Sequence, residues 1–148
     1  MNIKFVPPES EDFARLTKLL DEYYFTLVGD VHLRYAKYNI PSLFRTRTVV
    51  YDGSDAVACG CWKEIDEESA EIKRIYVLPE YRRKGIASLI IRTLEDDIKK
   101  AGKKKIILET ARTTPDSEAL YLHLGYSEID YYGSPAGAEN CLCFEKNI

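Results

Sequence analysis

Three consecutive cations, Arg82, Arg83 and Lys84, lead through Gly85 into an apolar-periodic run that begins at Ile86. Helices usually open on acidic or small polar residues, because the free N–H groups there carry partial positive charge. Cations at that end oppose the macrodipole unless an anion sits among them. The preceding "IKRIYVL" reads as a strand, so the order is strand, loop, helix. Successive N–H groups in such a loop, with those of the helix N-terminus, can cradle phosphate oxygens. Gly85 has no Cβ to hold the backbone away from them. A solvated basic loop with a glycine turn would look the same, and the loop alone leaves both readings open. The spacing matches neither a P-loop nor a Gly-x-Gly-x-x-Gly dinucleotide loop.

The other groups with chemical potential are two Cys-x-Cys pairs, Cys59/Cys61 and Cys141/Cys143. Four thiolates could bind zinc. Both pairs, however, lie in strand-like runs, "AVACGCW" and "CLCFEK", and metal knuckles need turns. Buried structural thiols are the better reading, and no metal is expected.

These groups must be positioned by one domain spanning 1–148, since 148 residues suffice for a real core. Counts of 21 basic and 24 acidic residues give a net charge of −3, which argues against broad attraction to nucleic acid or anionic membrane. No apolar run approaches the roughly 20 residues of a membrane span, and "MNIKFVPPES" lacks a signal-peptide core. A cytoplasmic location is the default expectation.

The elements follow from periodicity. "IKFVPP" reads as a first strand stopped by prolines, with Ser10 as N-cap of a helix whose Phe13, Leu16, Leu20, Tyr23/Tyr24 and Leu27 share a face. A short second helix is expected over "DVHLRYAKYNIP". "TRTVVYDG", "AVACGCWKEI" and "AEIKRIYVL" form an antiparallel meander, joined by "DGSD" and "DEES". The helix from Gly85 ends at Gly102, and "KKIILET" is a fifth strand. Thr114 caps a helix starting at Pro115 and stopping at Gly125, and "YSEIDYYG" and "CLCFEKN" close the sheet as a hairpin over "SPAGAEN". The order ββββαβαββ, with helices after the first strand, is an α+β or mixed α/β layer sandwich.

The stretch "YVLPEYRRKGIA" resembles the acyl-CoA-binding segment of the GNAT family of N-acetyltransferases: its Arg/Gln-x-x-Gly-x-Gly/Ala pattern falls on Arg82, Gly85 and Ala87, after Val77 and Pro79. "SEALYLHLGY" resembles the family's later "ALYEKLGF" segment, placing Tyr121, Gly125 and Tyr126. The resemblance implies a GNAT acyl-CoA N-acyltransferase fold, mostly antiparallel and splayed between strands 4 and 5. It implies acetyl-CoA as cofactor, with the pyrophosphate on Arg82, Arg83, Lys84, Gly85, Ile86 and Ala87. Pantetheine would lie along the backbone of Tyr76 and Val77, with the Val77 N–H as oxyanion donor. Relatives often carry Asn near the start of the last helix, where this chain has Thr114 and Ser117, so contacts from that region are less defined.

The same resemblance implies direct attack of a primary amine through a tetrahedral intermediate. The amine must lose protons and the leaving thiolate must gain one. Tyr121 occupies the acid position, and a phenol of pKa near ~10 can serve a thiolate whose thiol lies near ~8.5. Glu71 resembles the family's strand glutamate and is the candidate base, directly or through water, with Glu64 in reserve. His32 and His123 receive no role. Tyr23, Tyr24, Tyr35 and Tyr38 are enriched where relatives build the acceptor pocket, and Tyr131 and Tyr132 precede the last hairpin loop. The acceptor is a small-molecule or peptide amine, and a homodimer is left open. The rival is a non-catalytic acyl-CoA-binding or sensing module, which would keep the cradle without depending on Tyr121 or Glu71.

Overall fold

The computed structural model describes residues 1–28, 39–112, 115–133 and 140–148. The expected second helix, with His32, Tyr35 and Tyr38, lies mostly outside the described residues, as do Thr114 and most of the "SPAGAEN" loop. Among the described residues, β1 (Asn2–Val6), α1 (Glu11–Val28), β2 (Thr46–Asp52), β3 (Asp55–Glu64) and β4 (Ser69–Val77) come first. They are followed by α2 (Ile86–Lys100), β5 (Lys105–Ala111), α3 (Pro115–His123), β6 (Ser127–Ile129) and β7 (Cys141–Asn147). The sheet has seven strands in the order β1-β2-β3-β4-β5-β7-β6. Among the described residues only β4 and β5 pair in parallel. No helix among the described residues is long and apolar enough to cross a membrane.

Two apolar layers sandwich this sheet. Phe13, Leu16 and Leu20 of α1 bury against Val49, Cys59, Cys61 and Tyr76 on one face. Ile86, Ile90, Ile91, Leu94 and Ile98 of α2 meet Trp62, Ile72, Ile106 and Leu108 on the other, where α3 adds Tyr121 and Leu124. Each such aliphatic side chain contributes about 1.5–3 kcal/mol. The close approach of α2 to β3 requires a glycine: a Cβ at Gly60 would meet Ile90 Cγ2 at 2.5 Å and Ile75 Cδ1 at 2.6 Å.

The start of α1 follows from its cap. Ser10 Oγ accepts the Phe13 N–H at 3.2 Å, with Glu11 and Asp12 in the first turn. α2 has no side-chain cap and no acid in its first turn, yet carries Lys99 and Lys100 in its last, where cations suit the dipole. Gly102, at φ 87°, ends it.

Three features were not visible beforehand. Short 3₁₀ turns form at Pro41–Leu43 and Pro79–Tyr81. β6 stops at Ile129, shorter than "YSEIDYYG" suggests, and Tyr132 turns its hydroxyl to Glu71 instead of extending the ladder. Lastly, β4 bulges: Cys59 pairs with Tyr76 but Cys61 with Lys73, so one residue too many stands on β4. Arg74, at the bulge, has φ 60°, a conformation that costs a non-glycine residue about 1–2 kcal/mol. The thiols of Cys59 and Cys61 lie 3.4 and 3.3 Å from the carbonyls of Arg74 and Lys73 and donate to them. The Cys-x-Cys pair thus braces the bulge.

Candidate active site

The bulge accompanies a split in the sheet. β4 and β5 stay paired only through Ser69–Lys105, Ala70–Ile106 and Glu71–Ile107. Beyond Glu71, β4 remains with β3 as far as Val77, while β5 remains with β7 as far as Ala111. A bulge bends and twists its strand, which parts β4 from β5. The splay implied by the resemblance is therefore present, with Glu71 at its closed end.

Val77 lies at the open end. Leu78 N–H donates to Val57 O at 2.9 Å, making that couple a hydrogen-bonded pair of the antiparallel ladder. Bonded and non-bonded pairs alternate, so Val77, opposite Ala58, directs its N–H and C=O away from β3 and into the gap. By the same alternation the backbone groups of Tyr76 face Cys59 across the ladder.

The loop after Val77 forms the second part of the site. The first bond of α2 is Leu89 N–H to Gly85 O at 3.0 Å, which leaves the N–H groups of Ile86, Ala87 and Ser88 as open donors. Gly85 has φ 79°, and nothing lies within 4 Å of a Cβ placed there. Arg83 also adopts a positive φ of 62°, and its guanidinium reaches Asp116 of α3 at 3.1 Å in an exposed ion pair worth little energy. Ser117 lies in the first turn of α3, half-buried.

Arg82 is placed differently from the sequence expectation. Its own N–H donates to Pro79 O at 3.2 Å, and its Nε donates to Val77 O at 2.9 Å. The guanidinium lies 5.3 Å from the Tyr23 ring centre and 5.7 Å from that of Tyr76. Arg82 therefore braces the strand end with its side chain and has its own N–H engaged, while Ser88, not singled out in the sequence, joins the open donors of α2.

Tyr121 is 6% exposed, edge-on to Tyr126 at 5.8 Å and tilted against Phe144 at 5.9 Å. Burial pushes its pKa well above the ordinary phenol value, and the phenol of Tyr24 adds to the rise. Tyr24 belongs to α1 and Tyr121 to α3, elements on opposite faces.

Glu71 is 6% exposed; the Tyr132 hydroxyl donates to it at 2.7 Å and Lys73 Nζ stands 3.7 Å away. Burial first, then the Glu71 charge and hydrogen bond, hold the proton firmly on Tyr132. Glu64 lies elsewhere, opposite Ala70 at the far end of β4, 54% exposed and paired with Lys103 and Arg45. The Lys103 hydrogen bond lowers its pKa and makes it a weaker base. His123 shares α3 with Tyr121 but is exposed.

Sequence reasoning missed Glu109. In the parallel register it is two residues beyond Ile107, on the face of Glu71, alongside Cys141 and Gly133. The signal was a lone acid at the alternating positions of an apolar strand, "KIILETA". Its meaning required knowing that β4 and β5 part beside it. Among the described residues no cluster of His, Cys, Asp and Glu could hold a metal.

A sheet split beside a helix with uncapped, cation-flanked donors is the architecture of an acyl-CoA-binding acyltransferase. Residues 13–126 match the model of the acetyltransferase (GNAT) family, and the chain belongs to that family. It is 32% identical over 76 residues to the uncharacterized N-acetyltransferase YjgM of Escherichia coli K12, covering 51% of this chain and 46% of that protein; the chain thus spans about half the length of this curated relative. A Klebsiella pneumoniae protein assigned as an acyl-CoA N-acyltransferase superposes with TM-score 0.82 at 22% identity, over 99% of this chain and 96% of that one. A GNAT acetyltransferase from Elizabethkingia anophelis, solved with acetyl-CoA bound, superposes with TM-score 0.72 at 14% identity, over 99% and 97%.

The residues present fit acetyl-CoA, the family's cofactor. The open N–H groups of Ile86, Ala87 and Ser88, the unobstructed Gly85 and the neighbouring Arg83 and Lys84 suit a pyrophosphate. The gap beside Val77 suits an extended amide-bearing arm.

Proposed function

We propose that this chain is an N-acetyltransferase that passes the acetyl group of acetyl-CoA to a primary amine by direct attack through a tetrahedral intermediate. The observation that carries this reading is the gap between β4 and β5, into which the Val77 N–H points. Acetyl-CoA supplies an activated thioester. The Val77 N–H stabilises negative charge on the oxygen as the amine adds, a role in which one donor is worth about 3–4 kcal/mol. Glu71 or Glu109, two carboxylates on the α1 face of the sheet beside the gap, takes the amine's proton, directly or through water.

Tyr121 gives its proton to the departing sulfur. In water a phenol near ~10 and a thiol near ~8.5 make that transfer uphill by about 2 kcal/mol. Burial raises both groups, because phenolate and thiolate alike lose hydration, so the mismatch is not enlarged by the full shift on Tyr121.

The test follows thiol release from acetyl-CoA against an amine panel for wild type and Tyr121→Phe, with calorimetric CoA binding for both. Unchanged CoA affinity with turnover reduced roughly 10²-fold or more supports the assignment. CoA binding without acetylation of any amine would favour a binding or sensing module instead.

A further inference from the structure

Arg74 has no part in the mechanism above, yet its placement is unusual. It is only 8% exposed, at the β4 bulge, three residues beyond Glu71 and three before Val77. Its Nη2 donates to Thr17 O at 2.9 Å and to Asp21 Oδ1 at 2.6 Å. Its Nε–H is buried and has no hydrogen-bond partner among the described residues. Buried polar groups are nearly always paired, and one that belongs to a permanent cation calls for an explanation. A guanidinium edge is suited above all to a carboxylate.

The surroundings narrow the explanation. Arg74 lies on the α1 face of the sheet, as do Glu71, Lys73 and Glu109. Lys73 is engaged with Glu71, and the Arg74 partner Asp21 is itself 49% exposed at its side chain. The Tyr24 phenol of α1 feels the charges of both Arg74 and Glu109, so a cationic and an anionic group lie on the same face within electrostatic reach of one side chain. A purely cationic acceptor would satisfy the carboxylates and leave the Nε–H idle. An acceptor with both charges would satisfy both ends.

We propose that Arg74 is the anion-binding half of the acceptor site, so that the acceptor is a zwitterion carrying a carboxylate a few bonds from its amine, as in a free amino acid. This rests on the N-acetyltransferase reading. The ammonium faces Glu71 and Glu109, and the carboxylate takes the Arg74 Nε–H. No bond is made or broken at Arg74, which selects the acceptor and does not act on the acetyl group.

The test compares amines that differ only in the carboxylate: alanine with ethylamine, phenylalanine with phenethylamine, lysine with 1,5-diaminopentane. Wild type should acetylate the carboxylate-bearing member of at least one pair tenfold or more better in kcat/KM, through KM. Arg74→Gln should erase that preference while CoA affinity holds. Should the Arg74 variant fail to fold, the wild-type comparison still decides, and Asp21→Asn, which leaves the guanidinium less neutralised, should lower KM for the carboxylate member. Equal use of both members, or preference for the decarboxylated one, overturns the proposal and leaves the acetyltransferase reading intact. Loss of CoA affinity in Arg74→Gln would also overturn it, by assigning the Nε–H to the cofactor. If no amine turns over, calorimetry on the CoA complex separates the two ideas. Binding of the amino acid but not its decarboxylated partner keeps the carboxylate site, and binding of neither ends it.

Discussion

Nε of Arg82 donates to the carbonyl of Val77 at 2.9 Å, so the phosphate-side loop is tied to the residue whose N–H faces the gap. Main-chain orientation at Val77 is thereby coupled to the loop before α2. The planar guanidinium also packs against Tyr23 and Tyr76, which joins α1 to the same point.

Lysine cannot reproduce a planar Nε donor or its stacking. Arg82→Lys should therefore lower stability by about 1–2 kcal/mol. It should also reduce kcat/KM for acetyl-CoA roughly tenfold or more, because small misplacements at a reacting centre are costly. Thermal unfolding and steady-state kinetics would check both effects. Full activity in Arg82→Lys would show that the tie to Val77 does not matter.

The helices and strands were largely legible because their signals are local. Ser10 caps α1, Gly102 closes α2, and the unbroken apolar run "AVACGCW" reflects a strand buried on both faces. The bulge was not, because nothing near Arg74 announces an extra residue. It arises from the mismatch between Cys59–Tyr76 and Cys61–Lys73, a property of two strands together. Glu109 was obscured similarly, since a single acid in an apolar strand gains meaning only from its parallel neighbour. The direction of the Arg82 side chain could not be read from a motif that identifies the loop.

Alkaline stability should be governed by buried phenols and thiols. Tyr24 is pushed up to about 12 by burial, and Tyr51 to about 12 chiefly by its hydrogen bond to Asp12. Burial raises Tyr121, Tyr126 and Tyr132 further, and lifts Cys59 to about 12. These folded-state values are raised, so their stabilising contribution is whole below the unfolded values, near ~10 for the phenols and ~8.5 for the thiol, and is lost as pH rises through the folded values. Unfolding should set in between about pH 10 and 12, with these tyrosines ionising only as the fold opens. Tyrosinate absorbance and circular dichroism, followed together, should rise and fall in one transition. Smooth ionisation of every tyrosine near its ordinary value, ahead of unfolding, would contradict the burial described.

The acid limb should depend on Lys103. Its ammonium is 3% exposed and donates to Asp66 O at 2.6 Å, to Glu67 O at 3.2 Å and to the Glu64 carboxylate. It thereby closes the turn between β3 and β4. The carboxyl of Asp66, which accepts from the N–H groups of Glu68 and Ser69, is also lowered, chiefly by the Glu68 bond. Lowered folded values mean stability present above the unfolded carboxylate range near ~4 and lost as pH falls through the folded values. Lys103→Met removes the hydrogen bonds and leaves carbonyls of the turn without their donor. It should cost about 1–3 kcal/mol at neutral pH. A chain of this size should then melt roughly 3–10 °C lower. The variant should also lose less further stability on acidification than wild type, since the Glu64 shift rests first on Lys103. Urea midpoints taken from neutral pH down to about pH 3 would show the two curves converging. Parallel curves would mean that Lys103 supports the turn without setting the Glu64 proton affinity.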